Sequence, residues 1–247
     1  MKTKRLFLIL KGSDFVKKGM KNWLISAGIC GGLFLLLVVL LLTVDVGYAV
    51  PHAPVGLSTI NGFVFETIGE HPVWEKVSDW LFGMVIVCLL VMIVMANSKR
   101  FGCKRASIFS IHYWEERNRL NDFYFVFYSL VVMVFCYAIF ELFVINYRPI
   151  VEYGGEIEAS FPSTHTLISV VVFGVFAVWL AYRLPKAFWK YLIIGALCVA
   201  ALVSSLARLM MGVHWLTDVL GGLLLGGTIV CLCGAGFSYL RAKEQDE

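Results

Sequence analysis

Charge is what this chain lacks. Asp, Glu, Lys and Arg make up 15% of its 247 residues, where a soluble domain carries about a quarter. With 60% hydrophobic residues and a mean hydropathy of +0.81, an ordinary water-soluble globule is excluded. Proline is sparse, with 6 residues, and no repeat, low-complexity tract or flexible linker breaks the chain. Residues 1–247 therefore read as a single domain. Metal and disulfide signatures are also missing, although there are 7 cysteines. Cys30, Cys88, Cys136, Cys198, Cys231 and Cys233 lie inside apolar runs, where small thiols serve packing, and Cys103 sits in a basic loop. No Cys-x-x-Cys or Cys/His spacing suggests a metal, so neither metal nor cofactor is expected. The formal charge of +4 is better understood by where the charges sit than by its size, and no nucleic-acid partner is expected.

What the chain has instead is long apolar runs. Six of them, at 23–44, 77–96, 123–144, 166–182, 191–209 and 215–239, approach the ~20 residues that cross a bilayer core. They predict an all-α polytopic membrane protein with six transmembrane helices in one bundle. The first run is too long, and too far from the N-terminus, for a cleaved signal peptide. Lys and Arg set the orientation. Lys2, Lys4, Arg5, Lys11, Lys17, Lys18 and Lys21 precede the first run, and Lys99, Arg100, Lys104, Arg105, Arg117 and Arg119 follow the second. Arg183, Lys186 and Lys190 separate the fourth from the fifth, and Arg241 and Lys243 close the chain. If the helices alternate, these all fall on one side. The sequence therefore predicts both termini in the cytoplasm and a multi-pass location in the cell membrane. In the long first external loop, the mildly apolar stretch 55–68 is readable as a short surface helix or as a plain connection.

Only Lys76, Arg148 and Arg208 lie on the opposite side, against the charge bias, so the arginines need a local reason. The third run leads through Glu141 to Arg148-Pro149, which places Arg148 at the helix end because proline cannot continue a helix. The fourth begins Phe161-Pro162-Ser163-Thr164-His165, with Ser163 or Thr164 as N-cap. The fifth ends near Arg208. Gly212 allows a tight turn into His214, and Asp218 follows four residues on. Two guanidiniums with a helix N-terminus suit phosphate oxygens. An imidazole held by a carboxylate is an oriented base or nucleophile, and a second imidazole can protonate a leaving group. Singly, each residue also reads as an interfacial anchor; their convergence on one side favours chemistry.

Arg148-Pro149, Pro162-Ser163-Thr164-His165 and Arg208-x5-His214-x3-Asp218 resemble the three signature motifs of the type 2 phosphatidic acid phosphatases. That family is the membrane branch of a superfamily shared with bacterial acid phosphatases and vanadium haloperoxidases. The resemblance runs from Glu141 to Asp218. It implies six helices and an extracytoplasmic site. It also implies His214 as the nucleophile that becomes a phosphohistidine, Asp218 as its orienting partner and His165 as the proton donor. Arg148, Arg208, Ser163 and the backbone at Thr164 would bind phosphate, and no divalent cation would be required.

The chain departs from the pattern in three places. The family lysine seven residues before Arg-Pro is Glu141, on the same predicted helix face as Arg148; the family glycine of the second motif is Thr164; and the family serine before the third-motif arginine is Ala207. The reading is a metal-independent lipid phosphatase. Its candidate substrates are undecaprenyl pyrophosphate, phosphatidylglycerophosphate and phosphatidate, and its partners are the substrate and the surrounding membrane lipids. The alternatives are a lipid phosphotransferase using the same phosphohistidine, with Glu141 orienting the acceptor, and a non-catalytic lipid-binding protein on the same scaffold.

Overall fold

A computed structural model describes residues 2–97, 119–150, 158–184 and 187–246. The described chain is helical, apart from a two-stranded hairpin: α1 (Lys2–Thr43), β1 (Gly47–Tyr48), β2 (Pro54–Val55), α2 (Ser58–Ile68), α3 (Val73–Asn97), α4 (Arg119–Leu142), α5 (Thr164–Arg183), α6 (Phe188–Met210) and α7 (Leu216–Asp246). Lys99, Arg100, Cys103, Lys104, Arg105, Arg117, Glu152, Glu156 and Lys186 lie outside the described residues.

Among the described residues, six helices are long and apolar enough to cross a membrane, over Lys18–Thr43, Val73–Val94, Tyr124–Leu142, Thr164–Arg183, Phe188–Met210 and Leu216–Arg241. In hydrocarbon only a helix or a closed barrel satisfies its own backbone, so these apolar runs have one stable conformation. The stretch 55–68 does contain a helix, α2. It buries Asn61 at 1% exposure and leaves Ile60 and Phe63 outward.

The bundle is built around α5. Of its span, 61% is buried, against 17% for α4 and 22% for α1 and α3. Val171, Val172, Phe173 and Val175 are wholly enclosed, with α6 and α7 packed on either side and α1 lying along α7. Lipid offers no hydrophobic drive between helices, so close packing must hold them together. Glycine supplies it at the α5–α7 contact. A Cβ on Gly222 would lie 2.9 Å from Ser163 O, and one on Gly226 would lie 2.8 Å from Val170. The two glycines are one turn apart on one stripe of α7. The outer helices turn apolar side chains outward, Trp80 at 80% exposure and Leu35 and Phe135 at 65%, as a lipid-facing surface does.

The chain order puts the end of α4, the start of α5, the end of α6 and the start of α7 at one end of the bundle, with α2 beside them. Both termini lie at the other end. Polar groups gather at the α2 end.

Candidate active site

Each candidate residue is placed by a break in helix. α4 stops at Leu142, six residues before Arg148, so the prediction that Arg148 ends a helix is corrected. Residues 146–148 instead run antiparallel to 158–160. Tyr147 bridges Ala159, Arg148 N–H donates to Glu158 O at 3.1 Å, and Ser160 N–H donates to Asn146 O at 2.9 Å. Tyr147 N–H reaches Pro54 O at 3.3 Å. These partners satisfy the backbone outside a helix, and so the chain leaves the helix well before Pro149. The inference that Glu141 and Arg148 share a helix face fails for the same reason.

The Arg148 guanidinium pairs with Glu158, Nη2 to Oε2 at 2.9 Å. Glu141 stays in the last turn of α4, exposed, and lines a small cleft with Ala159, Ser160, Pro162 and Thr164. Tyr137, one turn earlier, feels the charge of both Glu141 and Glu158.

Ser163 holds the N-cap position of α5 but makes no side-chain cap bond. Its N–H donates to Asp218 O at 3.0 Å, and its Oγ accepts from Thr166 Oγ1 at 3.1 Å. Thr164 opens the helix and His165 follows within the first turn. The His165 ring is half-buried, with its centroid 5.1 Å from that of Phe82. It lies in the field of Arg208, His214 and Arg148.

Arg208 is in the last turn of α6, 7% exposed, with Nη1 3.7 Å from Met211 Sδ. The turn expected at Gly212 is present, with φ at +72°, a conformation that a side chain would strain.

His214 precedes α7, which starts at Leu216, so it does not share a helix with Asp218 as an i, i+4 pair would. Asp218 acts as a capping carboxylate instead. Its Oδ2 accepts from Trp215 N–H at 3.0 Å, as an N3 side chain reaches back to the N-cap. His214 Nδ1 lies 3.6 Å from Asp218 Oδ2, with both side chains enclosed. That is ion-pair distance, roughly half an ångström beyond a hydrogen bond. Burial pushes the His214 imidazole below its ordinary pKa; Asp218 opposes the shift, while Arg208 and Arg148 add to it. The net direction is down, so the ring is neutral at neutral pH with Nε2 turned from the carboxylate.

The geometry therefore gathers His165, Arg208, His214, Asp218, Ser163 and Arg148 at one end of the bundle, with Thr164 and Glu141 on the α4 side. Three polar residues escaped sequence reasoning: Asn146, Asn61 and Thr217, all buried. Asn146 Nδ2 donates to Asp218 Oδ1 at 3.2 Å and to Thr217 Oγ1 at 3.3 Å. Asn61 Nδ2 reaches Thr217 Oγ1 at 2.9 Å. The available signal was faint: each is a polar interruption in a mainly apolar stretch.

A helical membrane bundle with paired imidazoles and guanidiniums at one end is a recognisable class of site. The family model of the PAP2 superfamily matches residues 82–241, and this chain belongs to that superfamily. All eight residues singled out as site candidates fall inside the match. Over 85 residues the chain is 39% identical to phosphatidylglycerophosphatase B of Bacillus subtilis (strain 168). That match spans 33% of this chain and only 39% of the relative's length. The fold resembles the crystal structure of a transmembrane PAP2-type phosphatidylglycerolphosphate phosphatase from Bacillus subtilis. The TM-score is 0.57 at 18% identity, over 84% of this chain and 94% of that one.

Proposed function

We propose that this protein is an integral-membrane lipid phosphatase working through a phosphohistidine at the extracytoplasmic face. One observation carries the reading: a buried imidazole backed by Asp218 shares a bundle end with a second imidazole and two guanidiniums. His214 Nε2 attacks phosphorus, forming the N–P bond as the bond to the lipid oxygen breaks. His165 gives its proton to the departing oxygen. Arg148 and Arg208 hold the phosphoryl oxygens, with charge-assisted N–H donors where negative charge develops. Water then attacks the phosphohistidine, His165 takes a proton from that water, and inorganic phosphate leaves as His214 is restored.

Among the candidate lipids, the relative's name favours phosphatidylglycerophosphate over undecaprenyl pyrophosphate and phosphatidate. The distribution of Lys and Arg supports cytoplasmic termini and hence a site facing outward.

The test is phosphate release by detergent-purified protein across a panel of these lipids, with and without added lipid or glycan acceptors. His214→Ala should abolish both release and labelled phosphoenzyme. Transfer of label to an acceptor in place of release would favour the phosphotransferase. No turnover and no phosphoenzyme with any lipid would leave only a binding protein. Accessibility of single engineered cysteines at each bundle end, in intact cells, tests the orientation.

A further inference from the structure

We infer that Asn146 is a positioning residue: its carboxamide fixes the Asp218 carboxylate behind His214 and ties it to the loop before α2. The inference rests on the lipid phosphatase reading. It assigns a role to a residue inside the stretch of the first motif, at a position to which the resemblance gives none.

The orientation of the Asn146 amide is determined by its surroundings. Gly56 N–H donates to Asn146 Oδ1 at 2.9 Å, and only an oxygen can accept there. The amide nitrogen must therefore face the other way, toward Asp218 Oδ1 at 3.2 Å and Thr217 Oγ1 at 3.3 Å. Asn61 is fixed by the same logic. Thr217 N–H reaches its Oδ1 at 3.3 Å, so its nitrogen serves Gly56 O and Thr217 Oγ1, each at 2.9 Å. Asn146, Asn61, Thr217 and Asp218 are all at most 2% exposed. Water does not replace these bonds cheaply, and an orphaned buried group costs about 1–3 kcal/mol.

The two oxygens of Asp218 thus have separate duties. Oδ1 is held by Asn146, while Oδ2 is held by Trp215 N–H and faces His214 Nδ1. One backbone N–H alone leaves a carboxylate free to rotate about its own axis. Two donors on different oxygens do not. The Asn146 bond consequently sets the plane of the carboxylate, and with it the place of the Oδ2 charge that faces the His214 ring at 3.6 Å. Gly56 also lets this loop lie against the end of α1: a Cβ there would lie 2.0 Å from Leu41 O.

The experiment compares Asn146→Asp and Asn146→Leu with wild type in steady-state phosphate release and phosphoenzyme formation. Thermal stability is measured on the same detergent samples. N146D keeps an acceptor for Gly56 N–H and puts a carboxyl against Asp218 that donates only while it holds a shared proton and otherwise repels it, so it is read across pH; N146L removes everything at similar volume. Outer-shell partners of this kind alter rates by about 10- to 100-fold in metal sites. We expect N146D to lower kcat and phosphoenzyme formation by at least about tenfold while KM stays within about twofold. N146L should behave alike if it folds; if it does not, N146D carries the test. A folded N146D with wild-type kcat at every pH overturns the inference, as does a loss of activity that only tracks the loss of folded protein. Because wild-type turnover is measured alongside, a silent wild type refutes the phosphatase reading, whereas an active wild type matched by N146D refutes only the role of Asn146.

Discussion

Under the phosphatase reading Glu158 competes with phosphate for Arg148 Nη2, so replacing Glu158 with Gln should tighten substrate binding. The Arg148–Glu158 contact is 2.9 Å, with side chains 18% and 51% exposed. Such an exposed pair is screened by water, which limits its worth to about 0.2–1 kcal/mol. A phosphate that takes over the same Nη2 donor must give up that amount. Removing the competing charge should lower KM by roughly two- to fivefold for an interaction worth ~0.5–1 kcal/mol. kcat should hardly change, because the pair is broken before the transition state is reached and uniform binding does not alter the chemical step. The measurement is steady-state phosphate release from a lipid phosphate in mixed micelles at low and high salt. The gap between E158Q and wild type should shrink as salt shortens the Debye length from ~10 Å at 0.1 M to ~3 Å at 1 M. An unchanged KM would mean that phosphate uses other donors of Arg148. A raised KM would mean that Glu158 holds Arg148 in its working pose, and the competition argument would be wrong.

Three further outcomes follow from the geometry. His165→Ala should slow alkyl lipid phosphates by about 10²–10⁴-fold and aryl phosphates, whose oxygen leaves without a proton, much less; equal losses would remove His165 as the proton donor. Because burial lowers the His214 pKa, the imidazole stays unprotonated as pH falls past the ordinary histidine value of ~6.5. The acid limb of kcat/KM should accordingly begin below ~6.5, and a limb at or above ~7 would contradict the direction of the shift. Glu141→Lys restores a cation beside Thr164 and should raise kcat/KM for phosphatidate about fivefold; a fall would show that the carboxylate has a task of its own, such as holding an acceptor.

The spans were legible because apolar length is the whole requirement for a membrane helix, and nothing in the tertiary structure competes with it. The residues of the candidate site stood out because ionisable groups near helix ends are rare in so apolar a chain. Their local geometry was not. Pro149 marks a helix stop by residue type, yet α4 ends at Leu142 and 146–148 pair with 158–160, a long-range effect with no local signature. The same error put Glu141 on the face of Arg148. His214 and Asp218 were spaced like a helical pair, but the helix starts between them and the carboxylate caps it instead. Asn146 and Asn61 were invisible because their importance lies in what they face, and an isolated Asn in an apolar stretch does not announce its partner.

These placements divide the site into two mechanical parts. His165 stands on α5, Arg208 on α6, and Asp218 on α7 with His214 just ahead of it. Those helices form the enclosed side of the bundle, where close packing at Gly222 and Gly226 leaves little room to shift. Under the phosphatase reading, groups on such elements keep the sub-ångström geometry that attack by one imidazole and proton transfer from the other demand. Arg148 is different. It rides on an extended segment held by a short antiparallel pairing, and its guanidinium is engaged by a half-exposed carboxylate. Under the phosphatase reading, the chemistry therefore belongs to the rigid helices and the grip on the incoming phosphate to the looser segment. Substitutions around Arg148 and Glu158 should then register mainly in KM, and substitutions behind His214 mainly in kcat. A Glu158 variant that altered kcat alone would break this division even if every distance reported above were right.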